Sequence, residues 1–179
     1  MTGSYFGVPV NDQLAAWIDD EFAHQLSVKY DRDIAFAVKI NTAGALCGVH
    51  ESSSLPPVFQ HIYGERAKSE NPEGYLDNID GKLRFVYRTG LPSSEARNRP
   101  DLLEPGDFPA EGAGTYRGYT GGVSAFKEET DWWVFCRIVD KLIELRSSAA
   151  NSAIVASKSK DRKPGQKYLQ NLGVAADGA

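Results

Sequence analysis

The sequence predicts an α+β fold, in which an antiparallel sheet is flanked by helices. Three observations predict it: a long amphipathic segment near the start, short apolar segments separated by turn residues, and a second long amphipathic segment near the end. With 179 residues, of which 41% are hydrophobic, the chain can bury a substantial core in one domain. We assign residues 1–157 to this domain and the basic, polar residues 158–179 to a C-terminal arm or tail.

The first elements are a helix and a hairpin. Gln13–Tyr30 predicts a helix capped by Asn11 or Asp12, because its apolar residues recur at helical spacing. Ile34–Ile40 predicts a strand. The turn Asn41–Gly44 then leads to a partner strand, Ala45–His50.

The middle of the chain predicts a second helix and a second hairpin. Two prolines precede Val58–Ala67, which favours a helix starting there. Tyr75–Ile79 and Lys82–Tyr87 flank Asp80-Gly81, a dipeptide typical of two-residue hairpin turns.

A loop and a long helix complete the fold. Residues 90–114 alternate prolines and glycines with acidic residues, and a loop of this length acts as a lid, a partner contact or a disordered segment. A strand over Thr115–Thr120 is then expected to run through a glycine turn, Gly121-Gly122, into a helix over Lys127–Ser157.

Composition excludes several classes of protein. The formal charge of −4 and the pI near 5.4 argue against broad binding to nucleic acid or to anionic membranes. No apolar run approaches the roughly 20 residues that span a bilayer, and the first residues lack the pattern of a secretion signal, so we expect a cytoplasmic protein. Cys47 and Cys136 lie in apolar segments, which favours buried free thiols over a disulfide.

The glycine-rich segment before the last helix is a candidate ligand site. A glycine turn that feeds a helix N-terminus exposes backbone N–H donors to small polar ligands. Guanidinium groups nearby either bind a ligand carboxylate or phosphate or pair with acidic residues of the loop. The ligand-binding residues we expect are Arg88, Arg117, Tyr119, Thr120, Gly121 and Gly122.

The histidines are candidates for acid–base chemistry. His50 at a strand end could act as acid or base near neutral pH. On the predicted second helix, His61 and Glu65 share a face at i and i+4. Two histidines and a carboxylate would suit iron or zinc, but the spacing matches no recognised metal signature, so we assign no metal. The candidate catalytic residues are His50, His61 and Glu65.

Two short motifs resemble one family. The order of elements is that of a profilin-like sandwich. Within it, Gly122–Asp131 looks like the Gly-Val-Ser…Glu-x-Asp segment that opens the last helix of the heme-binding GlcG/HbpS-like proteins. Asn41–Leu46 is similar to the hairpin turn of that family, and the likeness loosely covers residues 12–147. The resemblance implies a small ligand-binding fold, often oligomeric, in which some members bind heme; His61 would then be the axial ligand.

Three functions follow from these patterns. The leading one is a homo-oligomeric small-molecule binding protein. It would hold heme or another planar acidic ligand between the strand end at His50, the helix at His61 and the glycine turn Gly121-Gly122. The second is a cofactor-independent isomerase, cyclase or lyase that uses His50 or His61 as its base. The third is a protein–protein interaction module that uses the 90–114 loop and the C-terminal arm.

Overall fold

The chain has an α+β fold, with a four-stranded antiparallel sheet packed against helices. A computed structural model describes residues 9–30, 34–42, 57–64, 72–125 and 128–161. The chain divides into two compact units, Met1–Leu142 and Ile143–Ala179. The sheet and its core belong to the first unit, and the boundary between residues 157 and 158 stays a prediction.

The N-terminal helix, residues 10–30, is interrupted by a π-helical turn. It consists of α1 (Val10–Trp17), the π turn (Ile18–Phe22) and α2 (Ala23–Tyr30). The apolar stripe that predicted this helix is buried; Leu14, Ile18, Phe22 and Leu26 are at most 1% exposed. The helix starts at Val10, because Pro9 and not Asn11 or Asp12 occupies the N-cap position.

The sheet has the strand order β2-β1-β4-β3. Its strands are β1 (Phe36–Thr42), β2 (Phe59–Tyr63), β3 (Ala113–Tyr116) and β4 (Tyr119–Ser124). The first predicted strand is therefore confirmed, two residues further along the chain. Its predicted hairpin partner, Ala45–His50, lies outside the described residues.

The predicted helix Val58–Ala67 is wrong over the residues that the structure describes, 58–64. Residues 59–63 form β2, which pairs antiparallel with β1 over five residues from Phe36↔Tyr63 to Ile40↔Phe59. The prolines that suggested a helix start lie before a strand. Gly64, with a φ of +86°, follows the end of that strand. Aromatic and β-branched residues such as Phe59, Ile62 and Tyr63 favour a strand at this position.

The second predicted hairpin, Tyr75–Ile79 with Lys82–Tyr87, was also wrong. These residues belong to one helix, α3 (Pro72–Thr89). Ile79, Leu83 and Val86 recur at helical spacing and are buried against the sheet with Ala37 and Ala113.

Gly81 lies inside α3 and not in a turn, for a packing reason. A Cβ added there would lie 2.8 Å from the Cβ of Phe108 and 3.1 Å from the carbonyl oxygen of Gly106. Glycine costs a helix interior about 1 kcal/mol relative to alanine. Here the absence of a side chain allows residues 90–112, which connect α3 to β3, to lie directly on α3. The Asp80-Gly81 dipeptide therefore marks a packing contact and not a turn.

The last predicted strand, Thr115–Thr120, and its glycine turn need correction. Residues 113–124 form a hairpin, in which Arg117 and Gly118 are the two turn residues with φ of 49° and 81°. Positive φ at both positions is typical of a type I′ turn. Gly121 and Gly122 do not form a turn, because both are paired within β4 with Gly114 and Ala113 of β3.

The two faces of the sheet carry different helices. Ala37 faces α3, as do Lys39 and Asn41, while alternate residues of β1 face the other side. On that other side, directly opposite glycines of β3 and β4 contact aromatic rings of the last helix, α4 (Glu128–Asp161). A Cβ at Gly114 would lie 3.0 Å from Trp132, and one at Gly121 2.7 Å from Phe135.

The connection between α3 and β3 is ordered by contacts of its own. It contains two 3₁₀ turns, Ser93–Ala96 and Pro100–Leu102. The hydroxyl of Ser93 accepts a hydrogen bond from the backbone of Ala113 at 3.0 Å. The predicted final helix, Lys127–Ser157, is confirmed as α4, whose residues 143–161 form the described part of the second unit.

A buried ion pair joins α3 to the start of α4. Lys82 Nζ lies 3.0 Å from Asp131 Oδ2, and the two side chains are 2% and 4% exposed. The same ammonium donates to the carbonyl oxygen of Val123 at 2.9 Å. Asp131 lies in the first turn of α4, where the helix dipole stabilises a carboxylate.

We expect Lys82→Met to destabilise the first unit by about 3–5 kcal/mol, because it leaves the Asp131 carboxylate buried without its cation. Urea denaturation followed by circular dichroism measures this change. The double variant Lys82→Met/Asp131→Leu should recover part of the loss.

The control is Arg99→Ala, which breaks the exposed Arg99–Asp101 pair and should leave the denaturation midpoint almost unchanged. If Lys82→Met is as mild as Arg99→Ala, the buried pair does not hold these helices together.

Candidate functional site

The histidine site expected from the sequence is only partly described. His50 and Glu65 lie outside the described residues, and the structure places only His61 of the three. His61 is on strand β2 and not on a helix, so the proposed i, i+4 pair with Glu65 on one helical face is wrong. Among the described residues, no group of three or more histidine, cysteine or acidic side chains could hold a metal ion.

His61 is paired with a carboxylate of the N-terminal helix. Its Nε2 lies 2.7 Å from Asp19 Oδ1, with the two side chains 18% and 42% exposed. Its ring stacks beside Phe59 with centroids 6.0 Å apart. Asp19 belongs to the π-helical turn, a type of irregularity that is frequent at functional sites. This pair is on the face of the sheet opposite α3, since His61 is paired with Val38 of β1.

The two predicted arginines already have protein partners. Arg88 Nη1 donates to the carbonyl oxygen of Leu102 at 2.6 Å, and its Nη2 binds Asp107. Its Nε lies 3.4 Å from Glu104. Through these contacts Arg88 holds residues 90–112 against α3. This is the pairing with acidic residues of the loop that the sequence left open as an alternative.

Arg117 is likewise paired with a residue of the protein. It occupies the β3–β4 turn, and its Nη1 donates to Asp140 at 2.9 Å. Its guanidinium carbon lies 5.7 Å from the ring centroid of Tyr116. Because Tyr119 is paired with Thr42, it is on the sheet face opposite Asn41 and Thr120.

Thr120 is a predicted ligand residue that is buried beside other polar side chains of the sheet. It is fully buried and is paired with Asn41 on one side and Thr115 on the other. The Thr115 and Thr120 hydroxyl oxygens are 2.9 Å apart. We call Asn41, Thr120 and Thr115 the polar row, since they cross three strands on the face covered by α3.

Asn41 is the critical member of the polar row. Its Nδ2 donates to the Tyr87 hydroxyl of α3 at 2.6 Å. Its Oδ1 is buried and has no hydrogen-bond partner among the described residues. Asn41 as a whole is only 7% exposed, whereas Thr115 at the end of the row is exposed and Tyr87 is half-buried.

Sequence reasoning missed Asn41 because it was placed in a turn. One signal was present: Lys39 and Asn41 interrupt an otherwise apolar strand at alternate positions, so both fall on one face. Lys39 binds Asp80 of α3 at 2.6 Å, which accounts for its charge. The unpaired oxygen of Asn41 cannot be inferred without knowing what α3 presents to it.

The predicted free thiol can be assessed at one of its two positions. Cys136 is unpaired and half-buried. Burial, and secondly the charge of Asp140, raises the pKa of its thiol to about 11. The thiol is therefore protonated at neutral pH and is a poor nucleophile. Cys47 lies outside the described residues.

The similarity of this chain to known proteins is limited to its fold. No helix in the described part of the chain is both long and apolar enough to cross a membrane. No protein-family model matches the sequence, and no curated protein matches it. Among solved structures, the chain is similar to a double mutant of HbpS from Streptomyces reticuli, with 15% sequence identity and a TM-score of 0.40. The match covers 79% of this chain and 88% of the other, and at this TM-score it transfers neither a ligand nor a site.

Proposed function

We propose that this protein binds a small molecule at the polar row beneath α3. The observation that carries the proposal is the Oδ1 of Asn41, which is buried and has no hydrogen-bond partner in the part of the chain that the structure describes. Thr120, one of the ligand-binding residues expected from the sequence, stands beside it in the row.

The energetics support a missing partner for this oxygen. A buried acceptor without a hydrogen bond costs about 1–3 kcal/mol, and folded proteins leave few such atoms unsatisfied. A leucine of similar shape would avoid that cost at a position that is only 7% exposed. An asparagine here is therefore better explained by an interaction than by packing.

The arrangement suits a small molecule more than a macromolecule. The acceptor lies inside the sheet–helix interface, and the row leads from it to the exposed Thr115. A group that reaches Asn41 must be narrow, whereas the rest of the ligand can remain near Thr115 and the half-buried Tyr87.

The experiment is native mass spectrometry of the purified protein together with the variant Asn41→Leu. We expect a co-purifying small molecule in the wild type and its loss in the variant. Removing the unpaired oxygen should offset the loss of the bond to Tyr87, so the ligand-free variant should be as stable as the wild type or about 1 kcal/mol more stable in urea.

Tyr87→Phe is the matched control, because it leaves Asn41 in place and removes only the hydroxyl that accepts from its Nδ2. This variant should be less stable than Asn41→Leu. A loss of more than about 2 kcal/mol in Asn41→Leu would mean that the oxygen is satisfied within the protein, and would contradict the proposal.

Heme is the ligand that the family resemblance implies, and His61 is the residue that the sequence offers as its axial ligand. In the structure its Nε2, the nitrogen further from the side-chain stem, is occupied by Asp19. Heme binding through this atom would require Asp19 to give way.

A hemin titration tests this ligand. If heme binds at His61, the Soret band should shift to the red, His61→Ala should abolish the shift, and His24→Ala should retain it, because His24 is an exposed residue of α2. A shift that is equal in both variants would exclude His61 as the axial ligand.

A second candidate function, acid–base catalysis, is favoured by the His61–Asp19 pair. A carboxylate that accepts from one imidazole nitrogen fixes the tautomer and leaves the other nitrogen able to accept a proton. Nδ1 of His61 would then be the base, and Asp19 would be a positioning residue.

We expect Asp19→Asn to change the tautomer of His61. In the wild type, ¹⁵N chemical shifts of the imidazole should report a proton on Nε2, since the carboxylate can only accept. The variant should show a mixture of both tautomers, and Asp20→Asn is the control on the neighbouring exposed residue. Unchanged tautomer populations in Asp19→Asn would remove the basis for this candidate.

A further inference from the structure

The chemistry of the polar row restricts what its ligand can be, and this inference rests on the function proposed above. We propose that the row takes an uncharged ligand group that donates a hydrogen bond, such as a carboxamide or a hydroxyl, and not a carboxylate. This class differs from the planar acid expected from the sequence.

The atom of Asn41 that a ligand would reach is a hydrogen-bond acceptor. Asn41 donates one N–H of its Nδ2 to Tyr87, and the atom that has no hydrogen-bond partner among the described residues is the carbonyl oxygen Oδ1. This oxygen can only accept a hydrogen bond. A ligand carboxylate at neutral pH is also an acceptor, so the two oxygens would repel one another. An N–H or O–H of the ligand would satisfy Asn41.

Lys39 is the nearest cation to Asn41 on the same strand and the same face of the sheet. Lys39 is two residues before Asn41, and an unpaired ammonium there would favour an anion. Its Nζ is bound to Asp80 at 2.6 Å, and its side chain is only 10% exposed. The charge of Lys39 is therefore neutralised within the protein.

Arg88 is the arginine next to Tyr87 on α3. Arg88 is directed away into the 90–112 connection, where it binds the Leu102 carbonyl, Asp107 and Glu104. Two carboxylates already balance this guanidinium, so it has no uncompensated charge to offer a ligand anion at Asn41.

The polar row also contains two hydroxyl groups. The Thr115 and Thr120 hydroxyls share one hydrogen bond, so the O–H of one of the two remains free to donate to a ligand. Thr120 lies directly opposite Asn41 in the strand pairing. A ligand amide can donate its N–H to the Asn41 oxygen and accept from a threonine hydroxyl with its own oxygen. It therefore matches a row that contains both an acceptor and a donor.

The test uses three probes of nearly equal shape: benzamide, benzoate and benzamidine, which are neutral, anionic and cationic at pH 7. Each is titrated into ¹⁵N-labelled protein while the amide signals of Asn41 and Thr120 are followed. Benzamide should shift these signals with a Kd on the order of 10 mM, as expected for a fragment of this size. Benzoate should bind at least tenfold more weakly.

Two variants separate the role of the oxygen from that of the surrounding surface. Asn41→Leu should lose benzamide binding, and it is compared with Thr115→Val, which keeps the oxygen and should weaken binding only slightly. Asn41→Asp should exchange the preference, so that benzamidine binds more tightly than benzamide because a carboxylate now stands at this position.

The outcomes distinguish this inference from the function on which it rests. Benzoate binding as tightly as benzamide would overturn the ligand class and leave small-molecule binding intact. If no probe shifts the Asn41 signals while a co-purified molecule is found by native mass spectrometry, the ligand class at this row is also overturned. If neither a probe nor a co-purified molecule is found, a buried water satisfies Asn41, and both proposals fail.

Discussion

The ion pair between Lys82 and Asp131 is the constraint on which the position of α3 depends. It joins the middle of α3 to the first turn of α4, and the bond from Lys82 to the Val123 carbonyl adds the end of β4 to the same junction. Removing two charges from water is costly, so such a pair holds only when its partners are tightly placed. With α3 fixed in this way, Asp80 and Tyr87 lie above Lys39 and Asn41.

The two faces of the sheet carry different kinds of side chain. The face beneath α3 mixes an apolar cluster around Ala37 with the charged and amide side chains of Lys39 and Asn41. On the opposite face, the N-terminal helix supplies Asp19 to His61 at the edge strand β2. Ligand binding and acid–base chemistry are thus hypotheses about separate surfaces, and not about one pocket as the sequence indicated.

The first and the last helix could be predicted from the sequence because a repeated apolar pattern identifies them. Leu14, Ile18 and Phe22 mark the first helix, and Val134 to Leu142 mark α4, whatever the rest of the fold does. Asp80-Gly81 misled the prediction, since the reason for Gly81 is a contact with Phe108, 27 positions further along the chain.

The candidate site was harder to predict for the same reason. Thr120 was expected to bind a ligand beside a glycine turn; that turn is a strand, and the ligand-binding role of Thr120 stays a prediction. Asn41 was missed because a buried unsatisfied oxygen is a property of the assembled helix and sheet. His61 was identified by its residue type, while its partner Asp19, 42 positions earlier, shows no sequence signal that links the two.

The facing glycines of β3 and β4 make the backbone itself the surface on which α4 rests. The rings of Trp132 and Phe135 occupy the volume that side chains at Gly114 and Gly121 would need. Ring size in the helix and residue size in the strands are therefore coupled quantities. At Gly121 a methyl group would also clash with the backbone carbonyl oxygen of Lys39, so a smaller residue at Phe135 does not make room for it. At Gly114 the nearest atoms to a methyl group all belong to side chains, chiefly that of Trp132, so in related sequences positions 114 and 132 should change together.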